Sequence, residues 1–361
     1  MSTFILTNKM VLEKCQALFA SSKETYNFPT ANREKSRHQL EEHIQGKRSE
    51  VAYISDFQGA GKSTLMEMAI STFRFKTETT AMVRVKDVTA ERLEQDLRIF
   101  GMLFVDDADI RTSWKKIIQG LELLRDFGVT HRCPIVVSGD FTIRNEALRE
   151  LFDPIPRREI TMEPVDRQFF LEALNSRLRY LFGKTKEEVP DDANYIFDDE
   201  LLECLVPDSA VSVATFREIL TLAEGLSYQI EPTEEEFLLT KDQAKLYCRS
   251  HPLDGPTDQQ RPFLKSWLVP FITQLHPRGR GMKPFSAEEV FRTVAISGVE
   301  DSDSLSKLVL EPLCRGGVLH ALGLPGNRDG IFDRYPGPYL PRPKLLLHAY
   351  AESESLATAS A

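Results

Sequence analysis

The residues with the clearest chemical potential are Asp56-Phe57-Gln58-Gly59-Ala60-Gly61-Lys62-Ser63-Thr64. Gly59, Ala60 and Gly61 are small enough for backbone N–H groups to close around phosphate oxygens. A helix beginning at Lys62 would turn its positive dipole end on the same charge. At this spacing Lys62 is expected to reach the outer phosphates of a nucleoside triphosphate, with Ser63 as a Mg2+ ligand and Thr64 beside it. The first glycine usual in such a loop is replaced by Asp56, which tolerates unusual backbone angles but adds negative charge near phosphate. A second set, Met102-Leu103-Phe104-Val105-Asp106-Asp107, is an apolar run ending in two carboxylates. Asp106 is expected to complete the Mg2+ shell with Ser63, and Asp107 to polarise an attacking water.

Such groups need rigid elements to hold them. Apolar runs at 51–55, 80–85, 102–105, 134–137 and 160–162 alternate with helical patterns, which predicts buried parallel strands. The fold class is therefore α/β, a doubly wound parallel sheet of five strands that binds ligands at the carboxyl ends of its strands. Residues 1–28 read as a helical lead-in that stops before Pro29, and 29–165 as the core. From 166 to 250 the pattern is a helical lid, with Phe169, Phe170 and Leu174, then Phe216 and Leu220, on apolar faces. Residues 251–350 read as a linker helix followed by helix, turn, helix, a short apolar run and a Gly/Pro-rich return. That order fits a small winged-helix-like α+β domain. The small, polar stretch 351–361 is expected to be a flexible tail.

The 361 residues exceed what one core ordinarily holds, about 250 residues. With 42% hydrophobic and 27% charged residues the chain is of the globular class. A net charge of -9 argues against general adherence to nucleic acid, so any DNA contact must be local. The five scattered cysteines suggest neither a disulfide framework nor a zinc site, and no apolar run approaches the about 20 residues of a membrane span. A reducing, cytoplasmic setting without membrane attachment is expected.

Taken together, residues 29–226 resemble the AAA+ P-loop ATPases, within them the origin-recognition and initiator-like group and the related STAND switches. The resemblance implies ATP with Mg2+ as cofactors, ATP hydrolysis to ADP and phosphate, and a homo-oligomer in the ATP state. The run ending in Asp106 resembles a Walker B strand, and Asp107 stands where many AAA+ proteins carry Glu, which implies slow hydrolysis. Arg33 and Glu34 match an entrance segment that helps hold adenine in that group. Ser138 stands first, and Asp140 second, for the polar sensor that closes the fourth strand. Arg149, Arg157 and Arg158 lie where family members project an arginine finger into a neighbour's ATP. Val213-Ala214-Thr215-Phe216-Arg217-Glu218 is similar to the start of the helix bearing a second sensor arginine, which makes Arg217 the candidate.

What the last unit acts on is less directly written. Residues 251–350 carry 12 Lys/Arg against 10 Asp/Glu. The expected recognition helix begins Asp301-Ser302-Asp303-Ser304, whose charge is wrong for phosphate. Arg278, Arg280, Lys283, Arg328, Arg334, Arg342 and Lys344 could instead clasp a duplex backbone within 278–344. The leading expectation is an ATP-dependent switch acting on DNA, of initiator, loader or transposition-regulator type. The alternative is a signalling or defence switch whose winged helix contacts a protein partner and no DNA. A small-molecule kinase is disfavoured because this layout offers no evident acceptor pocket.

Overall fold

A computed structural model of the chain describes residues 4–19, 31–46, 50–56, 60–72, 83–108, 110–139, 151–152, 155–162, 165–206, 215–253, 257–275, 284–323, 326–328, 331–333 and 335–357. The chain divides into two compact units. One comprises residues 29–163 with 324–334; the other comprises 1–28, 164–323 and 335–361.

In the first unit, β1 (Val51–Ser55), β2 (Val83–Arg84), β3 (Leu103–Ala108), β4 (Ile135–Gly139) and β5 (Arg157–Thr161) form one sheet in the order β2-β3-β4-β1-β5. Every pairing is parallel. A parallel sheet must be covered on both faces, and the two-residue period of the strands divides the side chains accordingly. Val51, Tyr53, Leu103, Val105, Ile135 and Val137 bury into one cluster with Leu93 of α4 (Ala90–Phe100) and Ile117, Leu121 and Leu124 of α5 (Ile110–His131). Ala52, Ile54, Phe104 and Val136 bury into the other with Leu40 and Ile44 of α2 (Ala31–Gly46) and Leu65, Met66 and Ala69 of α3 (Lys62–Thr72). The strands β7 (Gly326–Arg328) and β8 (Ile331–Asp333) form a hairpin in this unit.

The second unit has two apolar centres. The first gathers α1 (Asn8–Phe19), α6 (Arg167–Phe182), α7 (Asp199–Leu205), α8 (Phe216–Ser227) and α9 (Lys241–Ser250). The expected lead-in helix is thus packed with the lid helices: Arg177 donates to the Leu18 carbonyl at 2.9 Å, and Cys15 and Ser227 lie 3.0 Å apart. The second centre is built by a helix over 260–275, α10, with a π turn at Leu264–Leu268, then α11 (Ala287–Phe291) and α12 over 302–315. Strands β6 (Leu319–Ala321) and β9 (Tyr339–Pro341) pair antiparallel, and Phe285 bridges to Tyr339 on the other side of β9. The closing helix α13 (Pro343–Ala357) borders both centres, Leu347 in the first and Leu345, Leu346 and Ala349 in the second. It runs through Ala357, so the stretch from 351 expected to be a tail is helical for most of its length. All five cysteines are free. No helix among the described residues is long and apolar enough to cross a membrane.

Candidate functional site

The loop between β1 and α3 sits at the carboxyl end of a central strand. Gly61 has φ +94°, in the left-handed region open to glycine, and among the described residues no atom other than those of its chain neighbours lies within 4 Å of where a side chain would begin. Helix α3 starts at Lys62, so the amides of its first turn have no partner inside the helix and face the loop. Lys62 is buried, and its Nζ donates to the Asp56 carbonyl at 2.9 Å. The residue standing for the first glycine therefore contributes its backbone oxygen to the lysine. Ala60 is buried, Ser63 and Thr64 are half-buried, and Gly59 lies outside the described residues.

The end of β3 meets this loop. Ser63 donates its hydroxyl to Asp106 Oδ2 at 2.6 Å, and the fully buried Ser138 of β4 donates to Asp106 Oδ1. One carboxylate thus gathers hydroxyls from the helix start and from the neighbouring strand. A break in strand register makes this reach. Val105 pairs with Val137, but the next pair is Ala108 with Gly139, so Asp106 and Asp107 together face Ser138 alone. Such a bulge bends the strand and re-aims its side chains. Asp107 absorbs it at φ +64°, is exposed, and stands near the carboxyl end of β3 beside Asp106.

The bulge was not legible in the sequence, because it depends on which residues of β4 face β3. Asp-Asp at the end of an apolar run is the signal that could have suggested it, since Asp accepts left-handed angles more readily than most residues. Arg84 was also missed. It lies opposite Asp106 in the β2–β3 register and is exposed.

The remaining candidates separate. Arg158 donates to Glu42 of α2 at 2.7 Å and holds that carboxyl below its ordinary range. Arg157 is exposed at the start of β5, and Arg149 and Asp140 lie outside the described residues. Arg33 is in the first turn of α2, its side chain not described. Arg217 is exposed at the second position of α8, in the other unit. Of the basic residues considered for DNA, Arg342 is ion-paired with Glu218 inside its own unit and Lys344 is half-buried. Arg328 lies in β7 with its side chain not described, and Arg278, Arg280, Lys283 and Arg334 lie outside the described residues.

The ligand types fit a magnesium nucleotide. A hydroxyl and a carboxylate 2.6 Å apart are hard oxygen donors, and Mg2+ characteristically takes one or two such protein ligands plus phosphate and water. No group of three or more His, Cys, Asp or Glu among the described residues could hold a metal. Glycine loop after the first strand, carboxylate after the third and the order β2-β3-β4-β1-β5 together decide the architecture. This is a P-loop fold.

The chain is similar to several solved structures. Cdc6p from Pyrobaculum aerophilum is 13% identical, with 94% of this chain and 98% of that one covered and a TM-score of 0.39. A Walker-type ATPase of Pyrococcus abyssi is 12% identical, covers 92% and 99%, and has a TM-score of 0.45. A point variant of RuvB from Thermotoga maritima is 17% identical, covers 84% and 92%, and has a TM-score of 0.42. At these identities and scores nothing of those proteins' functions is transferred. No protein-family model and no curated protein matches the chain.

Proposed function

We propose that the chain binds ATP with Mg2+ in the β1–α3 loop and hydrolyses it slowly, as a switch rather than a motor. The observation that carries this reading is the Asp106 carboxylate shared between Ser63 and Ser138 at the mouth of the glycine loop. In this reading Lys62 leaves the Asp56 carbonyl for the β- and γ-phosphates, and loop and α3 amides hold phosphate oxygens. Ser63 and Asp106 hold the metal directly or through water. Ser138 keeps Asp106 aimed by donating to its Oδ1, and Asp107 orients the water that attacks the γ-phosphate. The metal, when bound, would supply charge neutralisation at the phosphates. Arg33 contacts the nucleotide, and an arginine from a neighbouring copy, Arg149, Arg157 or Arg158, completes the site in the oligomer.

The test is ATP binding by wild-type protein, Lys62→Ala and Ser63→Ala with and without Mg2+. Loss of one charged contact should weaken binding by about tenfold or more. Unchanged affinity in Lys62→Ala would remove the phosphate-cradle assignment.

Such a switch has two candidate outputs. In the leading reading the 251–350 region is a winged helix that engages duplex DNA through basic residues in 278–344. In the second it contacts a protein. That reading is favoured by the exposed Asp301 and Asp303 at the start of α12, where Asp301 caps the helix by accepting from the Ser304 amide at 2.6 Å. Duplex binding with ATP at two salt concentrations separates them, because phosphate contacts weaken steeply as salt rises. No binding at low salt removes the DNA output.

A further inference from the structure

Three aromatic residues of α10, Phe263, Trp267 and Phe271, recur every fourth residue and so share one face of the helix. Their rings stack: Trp267 lies 5.7 Å from Phe263 at an interplanar angle of 18°, and 4.8 Å from Phe271 at 9°. Phe285 meets them edge-on, 5.0 Å and 68° from Trp267, and 6.1 Å and 76° from Phe271. Phe263 and Phe285 are buried in the second apolar centre, which holds this aromatic wall in place. Against it lies a cavity of about 340 Å³, bounded by Trp267, Phe271 and Phe285 and by Glu289, Arg292 and Thr293 of α11 and the turn after it.

The polar groups of the lining differ in what they can still bind. Thr293 donates its hydroxyl to the Glu289 and Val290 carbonyls, at 3.0 and 2.9 Å. Glu289 accepts the Ser286 amide on Oε2 at 2.9 Å, which leaves Oε1 with no partner among the described residues. The Arg292 guanidinium pairs with no carboxylate among them. A negative and a positive group three residues apart therefore line one cavity without meeting each other. A ring fits the aromatic wall, but a ring alone leaves both charges unanswered. An aromatic side chain presented by a partner protein would have the same shortfall. We propose that the cavity binds a free aromatic amino acid, with its ring against Trp267, Phe271 and Phe285, its ammonium at Glu289 and its carboxylate on the fork of Arg292. The volume stands near the lower end of small-molecule sites, about 300–1,000 Å³, which suits one amino acid. All of these residues belong to the second unit, and the site needs no nucleotide.

Calorimetric titration of the full chain with L-phenylalanine tests this, beside phenethylamine, which lacks the carboxylate, 3-phenylpropionate, which lacks the ammonium, and L-leucine, which lacks the ring. L-Phenylalanine should bind with millimolar affinity or better. Each of the other three should bind at least about fivefold more weakly, as the loss of one contact at a partly hydrated rim implies. Glu289→Gln keeps an acceptor for the Ser286 amide, since Gln serves at that capping position. It should weaken L-phenylalanine about fivefold and leave 3-phenylpropionate unchanged. Arg292→Gln should weaken L-phenylalanine by a similar factor and leave phenethylamine unchanged. Both side chains are exposed, so both variants should melt as cooperatively as the parent. No saturable heat with L-phenylalanine at millimolar concentration overturns the proposal. So does equal affinity for any of the other probes, or an L-phenylalanine affinity that either substitution leaves unchanged.

Discussion

Asp107 is held at φ +64°, where a residue with a Cβ pays roughly 1–2 kcal/mol that glycine avoids. Replacing it separates stability from chemistry. Asp107→Gly should stabilise the fold by up to about 1 kcal/mol in urea unfolding. The same change should lower phosphate release without weakening ATP binding. Release at the wild-type rate would remove Asp107 as the water-orienting group. Glutamate, with a longer side chain less able to bond its own backbone, suits this angle poorly, which gives a local reason for Asp where a longer acid would reach water better. Lys62, Ser63 and Asp106 could be read from residue order because loop and strand end are each local. Ser138 could be placed only by position along the fourth strand. The Glu218–Arg342 pair spans 124 residues of sequence and could not be read at all.

Helices and strands set the limits on what can change around the site. Gly120 of α5 faces the Val85 backbone, and a Cβ there would fall 2.2 Å from the Val85 carbonyl oxygen. Gly120→Ala should therefore cost more than about 2 kcal/mol by urea unfolding, because backbone and not a flexible side chain must give way. In the second unit, burial on α13 lowers His348 to about 4, although its Nε2 meets the His251 carbonyl at 3.1 Å. The unfolded chain takes up that proton nearer 6.5. The neutral ring's contribution is thus complete above about pH 6.5 and declines as pH falls towards 4, by as much as about 3 kcal/mol. His348→Gln keeps a donor for the carbonyl and should flatten the loss between pH 6.5 and 4 in pH-dependent melting. The five strands were legible because continuous apolar runs mean burial on both faces. The short strands of 251–350 were harder to read, since the Phe285–Tyr339 bridge is one residue long and has no periodicity to betray it.

At the scale of the assembled protein, the proposed arginine finger makes a further demand. A finger acts on another copy's ATP, so mixing Arg157→Ala with Lys62→Ala chains should restore hydrolysis that neither has alone. A mixed interface in one of its two orientations then joins an intact loop to an intact arginine. No recovery removes Arg157.

Helix α1 precedes the sheet in the chain, yet residues that bury Val11, Leu18 and Phe19 lie on α6 and α8, with the whole Pro29–Glu163 span translated in between. On the ribosome, an apolar helix waits while the sheet that carries Lys62 and Asp106 at its strand ends is completed, and it closes against its partners only when α8 emerges. The sheet of that span can thus form while the helical bundle is still unfinished.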